Sequence, residues 1–166
     1  MFRILVVVLQ LLKNDAFKYG TMVKNNRNKI ELMSPAGDFD SLQAAIDNGA
    51  DSVYFGVEQL NMRARATINF TLNDLPEISK RCKKHGVRSY LTLNTIIYDH
   101  DLSIVKTLVT AAKKADISAV IAMDQAVIAI ARQVGLEVHI STQINITNIE
   151  TLKFYAMFAD TIVLSR

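Results

Sequence analysis

The sequence predicts an α/β fold, an incomplete TIM-type (β/α)8 barrel that supplies the first six parallel strands with helices between them. Three observations point there. From Lys29 onward, short β-branched or aromatic runs alternate with longer segments of helical period, the pattern of parallel strands joined by crossover helices. Successive strand starts lie about 26 residues apart on average, a little under the roughly 31 of an eightfold barrel unit. Several strands also carry one polar and one apolar face.

Taken in order, the first strand is expected over Ile30 to Met33, with Glu31 as its polar position between Ile30 and Leu32. Asp38 can cap a helix running to Asn48, and Gly49 follows it. The second strand, Ser52 to Gly56, leads through a loop to a helix over Leu72 to His85, again followed by a glycine, Gly86. In the third strand, Val87 to Leu93, the polar face is Tyr90, Thr92 and Asn94, opposite Leu91 and Leu93. A helix over Asp101 to Ala115, a strand over Ser118 to Met123 and a helix over Gln125 to Val134 come next, the last stopped by Gly135. Each glycine stands where a left-handed terminating residue is wanted. The fifth strand, Leu136 to Ile140, sets Glu137, His139, Ser141, Gln143 and Asn145 on one face, with Leu136, Val138, Ile140 and Ile144 on the other. A helix over Asn148 to Phe158 and a sixth strand over Thr161 to Ser165 complete the pattern.

An open doubly wound sheet is the structural rival. It would carry a Gly-rich phosphate turn after its first strand, whereas Ser34-Pro35-Ala36-Gly37-Asp38 matches neither GxGxxG nor GxxxxGK. Its buried strands would also tend to be apolar on both faces. A polar face beside an apolar one fits a barrel whose outside packs on helices and whose lumen is polar. Six units leave two of the eight missing, so the chain is expected to stop before the barrel closes.

Half of the 166 residues are hydrophobic, enough for one domain with a real core. The formal net charge of +3 is carried by the leader: the first 29 residues hold six basic groups against Asp15, while residues 30 to 166 hold 13 basic and 15 acidic groups. Net charge therefore gives no nucleic-acid footprint, though local patches stay open. The lone Cys82 excludes an internal disulfide framework and a CxxC metal pair, reads as a packing residue, and fits a reducing cytoplasm. The run Ile4 to Leu9 resembles a signal-peptide core, but only Arg3 precedes it, and it is far below the ~20 residues that span a bilayer. No membrane partner is expected. Residues 1–29 read as an extension, with Met22 a more natural start and an amphipathic helix the alternative; residues 30–166 form the partial barrel.

In such a barrel the chemistry sits at the carboxyl ends of the strands. Arg63 and Arg65, two apart in the loop after the second strand, can face one way and bind a carboxylate or phosphate, unless they simply pair with acidic neighbours. With Glu31, Asn94, Gln143, Asn145 and Arg166 they form the candidate substrate-binding set. Asp124, His139 and Ser141, or Ser34 in place of Ser141, could be assembled into a hydrolytic triad. No GxSxG elbow and no HExxH helix accompanies them, and a satisfied lumen histidine is the plainer reading of His139.

The segments Glu31-Leu32-Met33-Ser34-Pro35-Ala36-Gly37, Gly49-Ala50-Asp51-Ser52-Val53-Tyr54-Phe55-Gly56 and Met62-Arg63-Ala64-Arg65 closely resemble peptidase family U32, the collagenase-like proteases. So do Asn69-Phe70-Thr71, Leu93-Asn94-Thr95, Asp124-Gln125 and the run Ser141 to Asn148, in family order over residues 30 to 166. The resemblance implies a barrel-type domain and a peptidase of unassigned catalytic type. It also implies a second activity, because relatives take part in hydroxylation of tRNA wobble uridine, of a ribosomal RNA cytidine or of the ubiquinone ring. The RNA-modifying relatives depend on prephenate, and several hold an iron–sulfur cluster through cysteines. The cysteines of that cluster would lie beyond residue 166, so no cofactor is expected in this chain itself. The resulting expectation is prephenate-dependent RNA hydroxylation, with a dicarboxylate and RNA as partners. The alternatives are a collagenase-like peptidase acting on a peptide, and an inactive fragment.

Overall fold

Six parallel strands follow one another across the sheet in chain order: β2 (Met33–Pro35), β3 (Ser52–Phe55), β4 (Arg88–Leu93), β5 (Ala119–Ala122), β6 (Glu137–Ile140) and β7 (Thr161–Val163). The computed structural model describes residues 8–10, 31–57, 60 and 70–165. The strand order never turns back, as it must at the switch point of a doubly wound sheet, so winding is of the barrel type. Among the described residues the sheet stays open, with β2 at one edge and β1 (Val8–Gln10) at the other. Within the leader, β1 lies antiparallel to β7, Val8 opposite Val163 and Gln10 opposite Thr161.

The first strand starts three residues later than expected and ends two later: β2 begins at Met33 and ends on Pro35, and Ile30 lies outside the described residues. Proline is tolerated there because β2 is an edge strand, where one face of the backbone needs no ladder donor. The next amide, that of Ala36, restores the ladder by donating to the Tyr54 carbonyl at 3.0 Å.

The connecting helices are α1 (Phe39–Asp47), α2 (Leu75–Lys84), α3 (Leu102–Lys114), α4 (Gln125–Gln133) and α5 (Ile149–Ala156). Asp38 caps α1, its carboxylate accepting from the Ser41 amide at 2.7 Å while Ser41 Oγ accepts from the Asp38 amide at 3.0 Å. Single turns of 3-10 helix lead into α2 and α3, so α2 begins three residues later than its periodicity suggests and α3 one residue later. Gly86 and Gly135 terminate α2 and α4 with φ of +69°. The third helix has no glycine; Asp116 takes the left-handed position at φ 60° instead, and its carboxylate pairs with Lys83.

Helical spacing sets what each helix buries. In α3, Val105, Leu108, Val109 and Ala112 form one apolar stripe, and in α2 the same offsets bring Leu75, Ile78, Ser79 and Cys82 inward. They pack on the outward side chains of the strands, among them Val53, Phe55, Leu91, Leu93 and Ile140, all fully buried. Burial of each such side chain contributes about 1.5–3 kcal/mol. The opposite sheet face forms a smaller cluster, Tyr90, Ala119 and Ile121 with Met33 and Tyr54 against them. This inner face is what positions the site.

Candidate functional site

Alternation along β4 turns Arg88, Tyr90 and Thr92 to the lumen, and along β6 it turns Glu137 and His139 the same way. These side chains meet. Glu137 Oε1 accepts from Arg88 Nη2 at 2.8 Å and lies 2.8 Å from His139 Nε2. The Tyr90 ring stands 4.7 Å from the imidazole, and the Arg88 guanidinium lies 5.1 Å from the centre of the same ring. The phenol hydroxyl of Tyr90 donates to Glu31 Oε1 at 2.6 Å, linking β4 to the residue two before β2.

Two carboxylates, a guanidinium and an imidazole thus surround one buried aromatic ring. The hydrogen bond from His139 is the main cause that holds the Glu137 carboxyl down at about 2; burial opposes it and Arg88 adds to it. Burial also works against the Arg88 charge, but the bond to Glu137 and the nearby negative groups outweigh it and raise the guanidinium pKa. Tyr90 is pushed up by burial first and then by its bond to Glu31, so it remains a neutral donor. The network lies toward the amino ends of the strands, below the positions where barrel chemistry is expected.

At the carboxyl ends, the candidate residues are engaged locally. Asp124 caps α4, its carboxylate accepting from the Ala126 amide at 2.8 Å and from the Ile97 amide at 3.3 Å. Ser141, 4% exposed, caps a 3-10 turn over Thr142–Ile144 by accepting from the Gln143 amide at 3.3 Å. His139 is bonded to Glu137 rather than to either of them. The polar face read along the fifth strand stops with the strand: β6 ends at Ile140, and the chain turns through Ser141. Gln143 and Asn145 therefore do not share the strand face with His139; both are exposed, and Asn145 is left-handed at φ 58°. Asn94 follows β4 and is partly buried. Arg63, Arg65 and Arg166 lie outside the described residues. Sequence reasoning named Glu137 and Tyr90 as lumen positions but left them and Arg88 out of the candidate set; for Glu137 the available signal was its shared parity with His139 along β6.

No lumen residue of the candidate set lines the cleft of about 500 Å³ that lies outside the barrel between α2 and α3, among Leu75, Pro76, Lys83 and Lys114. A cleft of about 350 Å³ opens at the amino ends, lined by Arg132, Gly135, Leu136, Glu137 and Asp160. It meets the network at Glu137.

The sequence profile of Peptidase family U32 matches residues 37–166. The chain belongs to peptidase family U32. It is 55% identical over 141 residues to a collagenase of Porphyromonas gingivalis, covering 85% of this chain and 34% of that protein. A tRNA hydroxylation protein of Bacillus subtilis is 31% identical over 155 residues, covering 90% of this chain and 36% of the relative. The 23S rRNA 5-hydroxycytidine synthase of Escherichia coli is 33% identical, covering 84% of this chain and 21% of the relative. The chain thus spans about a third or less of the length of these relatives. Among solved structures, the U32 peptidase Mk0906 superimposes with a TM-score of 0.62 at 12% identity, covering 88% of this chain and 59% of that one, a likeness of fold.

The family resemblance also implies a cysteine-held iron–sulfur cluster. Cys82 does not suit one: it is 1% exposed in the core, and burial pushes its thiol up to about 11. Among the described residues no group of three or more His, Cys, Asp or Glu could hold a metal ion. These residues do not fit the cluster, and no step is assigned to it. Among the described residues, no helix is long and apolar enough to cross a membrane.

Proposed function

We propose that this chain carries part of the active-site barrel of a cytoplasmic RNA-hydroxylation protein that uses a small dicarboxylate of the prephenate type. The observation that carries the reading is the dispersal of the hydrolytic candidates: Asp124 and Ser141 are spent on backbone amides, and His139 is bonded to Glu137. A nucleophile, base and orienting acid need mutual hydrogen bonds, and these three residues are instead bonded elsewhere. In this reading Arg63, Arg65 and Arg166 bind the carboxylates of the small substrate, and Asn94, Gln143 and Asn145 offer amides near the strand ends. Glu31 belongs with Tyr90 and shapes the lumen wall.

The RNA half of the reading draws support from charge on the outer helices. Helices α2 and α3 together carry Lys80, Arg81, Lys83, Lys84, Lys106, Lys113 and Lys114 against the single acid Glu77. Such a basic face suits a phosphate backbone, although residues 30–166 as a whole are slightly acidic. The test is mass spectrometry of nucleosides from a strain lacking the gene. Loss of hydroxyuridine from tRNA or of hydroxycytidine from ribosomal RNA is expected; unchanged levels of both would remove the reading.

The 55% identity to a collagenase favours a second reading, a peptidase acting through Asp124, His139 and Ser141. Cleavage of collagen by the purified protein, abolished by Asp124→Ala, His139→Ala and Ser141→Ala, would establish it. Cleavage that survives all three substitutions would exclude this site.

A further inference from the structure

His139 is 4% exposed and has one hydrogen-bonding partner among the described residues, Glu137, which its Nε2 meets at 2.8 Å. The same carboxylate oxygen is held from the other side by Arg88 Nη2, also at 2.8 Å. A carboxylate kept ionised by two such neighbours only accepts hydrogen bonds, so Nε2 must carry its proton whether the ring is neutral or charged. The position that gains or loses a proton is then Nδ1. Among the described residues nothing bonds to Nδ1, and it is not one of the fully buried polar atoms left without a partner.

Among the described residues the ring has neighbours on several strands. Tyr90 and Arg88 face it from β4, and Glu31 reaches the group through the Tyr90 hydroxyl. In register with His139 stand Ile121 on β5 and Thr161 on β7, neither of which titrates. The ring is held at Nε2 and packs at a tilt of 59° against Tyr90. An imidazole fixed in this way is what a proton-exchanging position requires.

We propose that Glu137 is the positioning residue for His139, holding it as the Nε2–H tautomer so that Nδ1 exchanges a proton with a hydroxyl or carboxyl group of a small molecule bound in the lumen. No electron transfer is involved: the neutral ring accepts a proton at Nδ1 from the ligand oxygen, and the imidazolium returns it there. Arg88 keeps Glu137 from following that proton. The inference does not rest on the RNA-hydroxylation reading, because either chemistry proposed for this family member could use such a group.

The test is nitrogen-15 NMR of the histidine rings in the full chain, titrated with pH. In the wild type, the neutral His139 ring is expected as the Nε2–H tautomer; a predominantly Nδ1–H ring would overturn the proposal without any variant being made. In Glu137→Ala, which removes the acceptor at Nε2, the tautomer preference should be lost. Glu137→Asp should restore the Nε2–H form. If Glu137→Ala folds yet leaves the tautomer unchanged, Glu137 does not position the ring. If it fails to fold, the wild-type tautomer still decides the matter.

Discussion

The two ends of the lumen are built on opposite plans. At the amino ends, Glu31 before β2, Arg88 and Tyr90 on β4, and Glu137 and His139 on β6 are joined by bonds and ring contacts between residues up to 59 positions apart in the chain. At the carboxyl ends, Asp124 and Ser141 bond mainly to amides two residues away, and their work is to start the next helical turn. Long-range bonds among charged groups fix strands to one another, while local caps fix only the turn they belong to. The floor should therefore be the stiffer and more stability-determining region, and the mouth the one free to change with substrate.

The comparison breaks most easily at Glu137. Glu137→Ala leaves Arg88 and His139 without their shared carboxylate, and urea unfolding at neutral pH should show a loss of about 2 kcal/mol. That is below the ~3–5 kcal/mol of a fully buried pair because the Arg88 and Glu137 side chains are 36% and 31% exposed. A loss no larger than that of a surface ion pair would mean the floor is not a connected unit.

Acid should single out the floor in the same way. The Glu137 carboxyl is held at about 2 against an ordinary 4.5, so the unfolded chain takes up its proton first as pH falls. The stabilisation is fully present above 4.5 and is lost as pH falls from there through about 2. Wild type should thus lose stability more steeply over that window than Glu137→Gln. Parallel curves would show that the carboxylate gains nothing on folding.

At the mouth the effects should be smaller. Asp124→Ala removes a helix cap and the bond to the Ile97 amide, and should cost about 1 kcal/mol by the same unfolding measurement. Asp124→Asn, which keeps an accepting oxygen, should recover most of it, whereas a general acid or base at this position would not be rescued in activity. Ser141→Ala removes only a 3.3 Å bond to a single turn, and about 0.5 kcal/mol or less is expected. A larger loss would place Ser141 in the floor's network.

Much of the fold was legible because each unit announces itself locally. The helical stripes of α2 and α3, the glycines after α1, α2 and α4, and the inner face of β4 all depend on residues within one turn or one strand. The winding was legible for the same reason, since strands spaced by single helices and lacking a phosphate turn leave few alternatives. The site was less so. Alternation showed that Glu137 and His139 share a face, but not that Arg88, 49 residues earlier, would be brought to the same carboxylate. Nor could it show where β6 stops: extrapolated alternation carried the polar face on to Gln143 and Asn145, which the 3-10 turn after Ser141 takes off the strand.

What the sequence by itself determined, then, is the alternation of elements, the direction in which each faces, and the family to which the strand-end motifs belong. These follow from steric and hydrophobic periodicity acting over a few residues. Only the tertiary structure decided the partners. Pairing β4 with β5 and β5 with β6 brings residues far apart in the chain within hydrogen-bond distance, and there a carboxylate chooses between Arg88, His139 and water. Such choices depend on distances of a few tenths of an ångström and on local burial, neither of which is a property of any short stretch of chain.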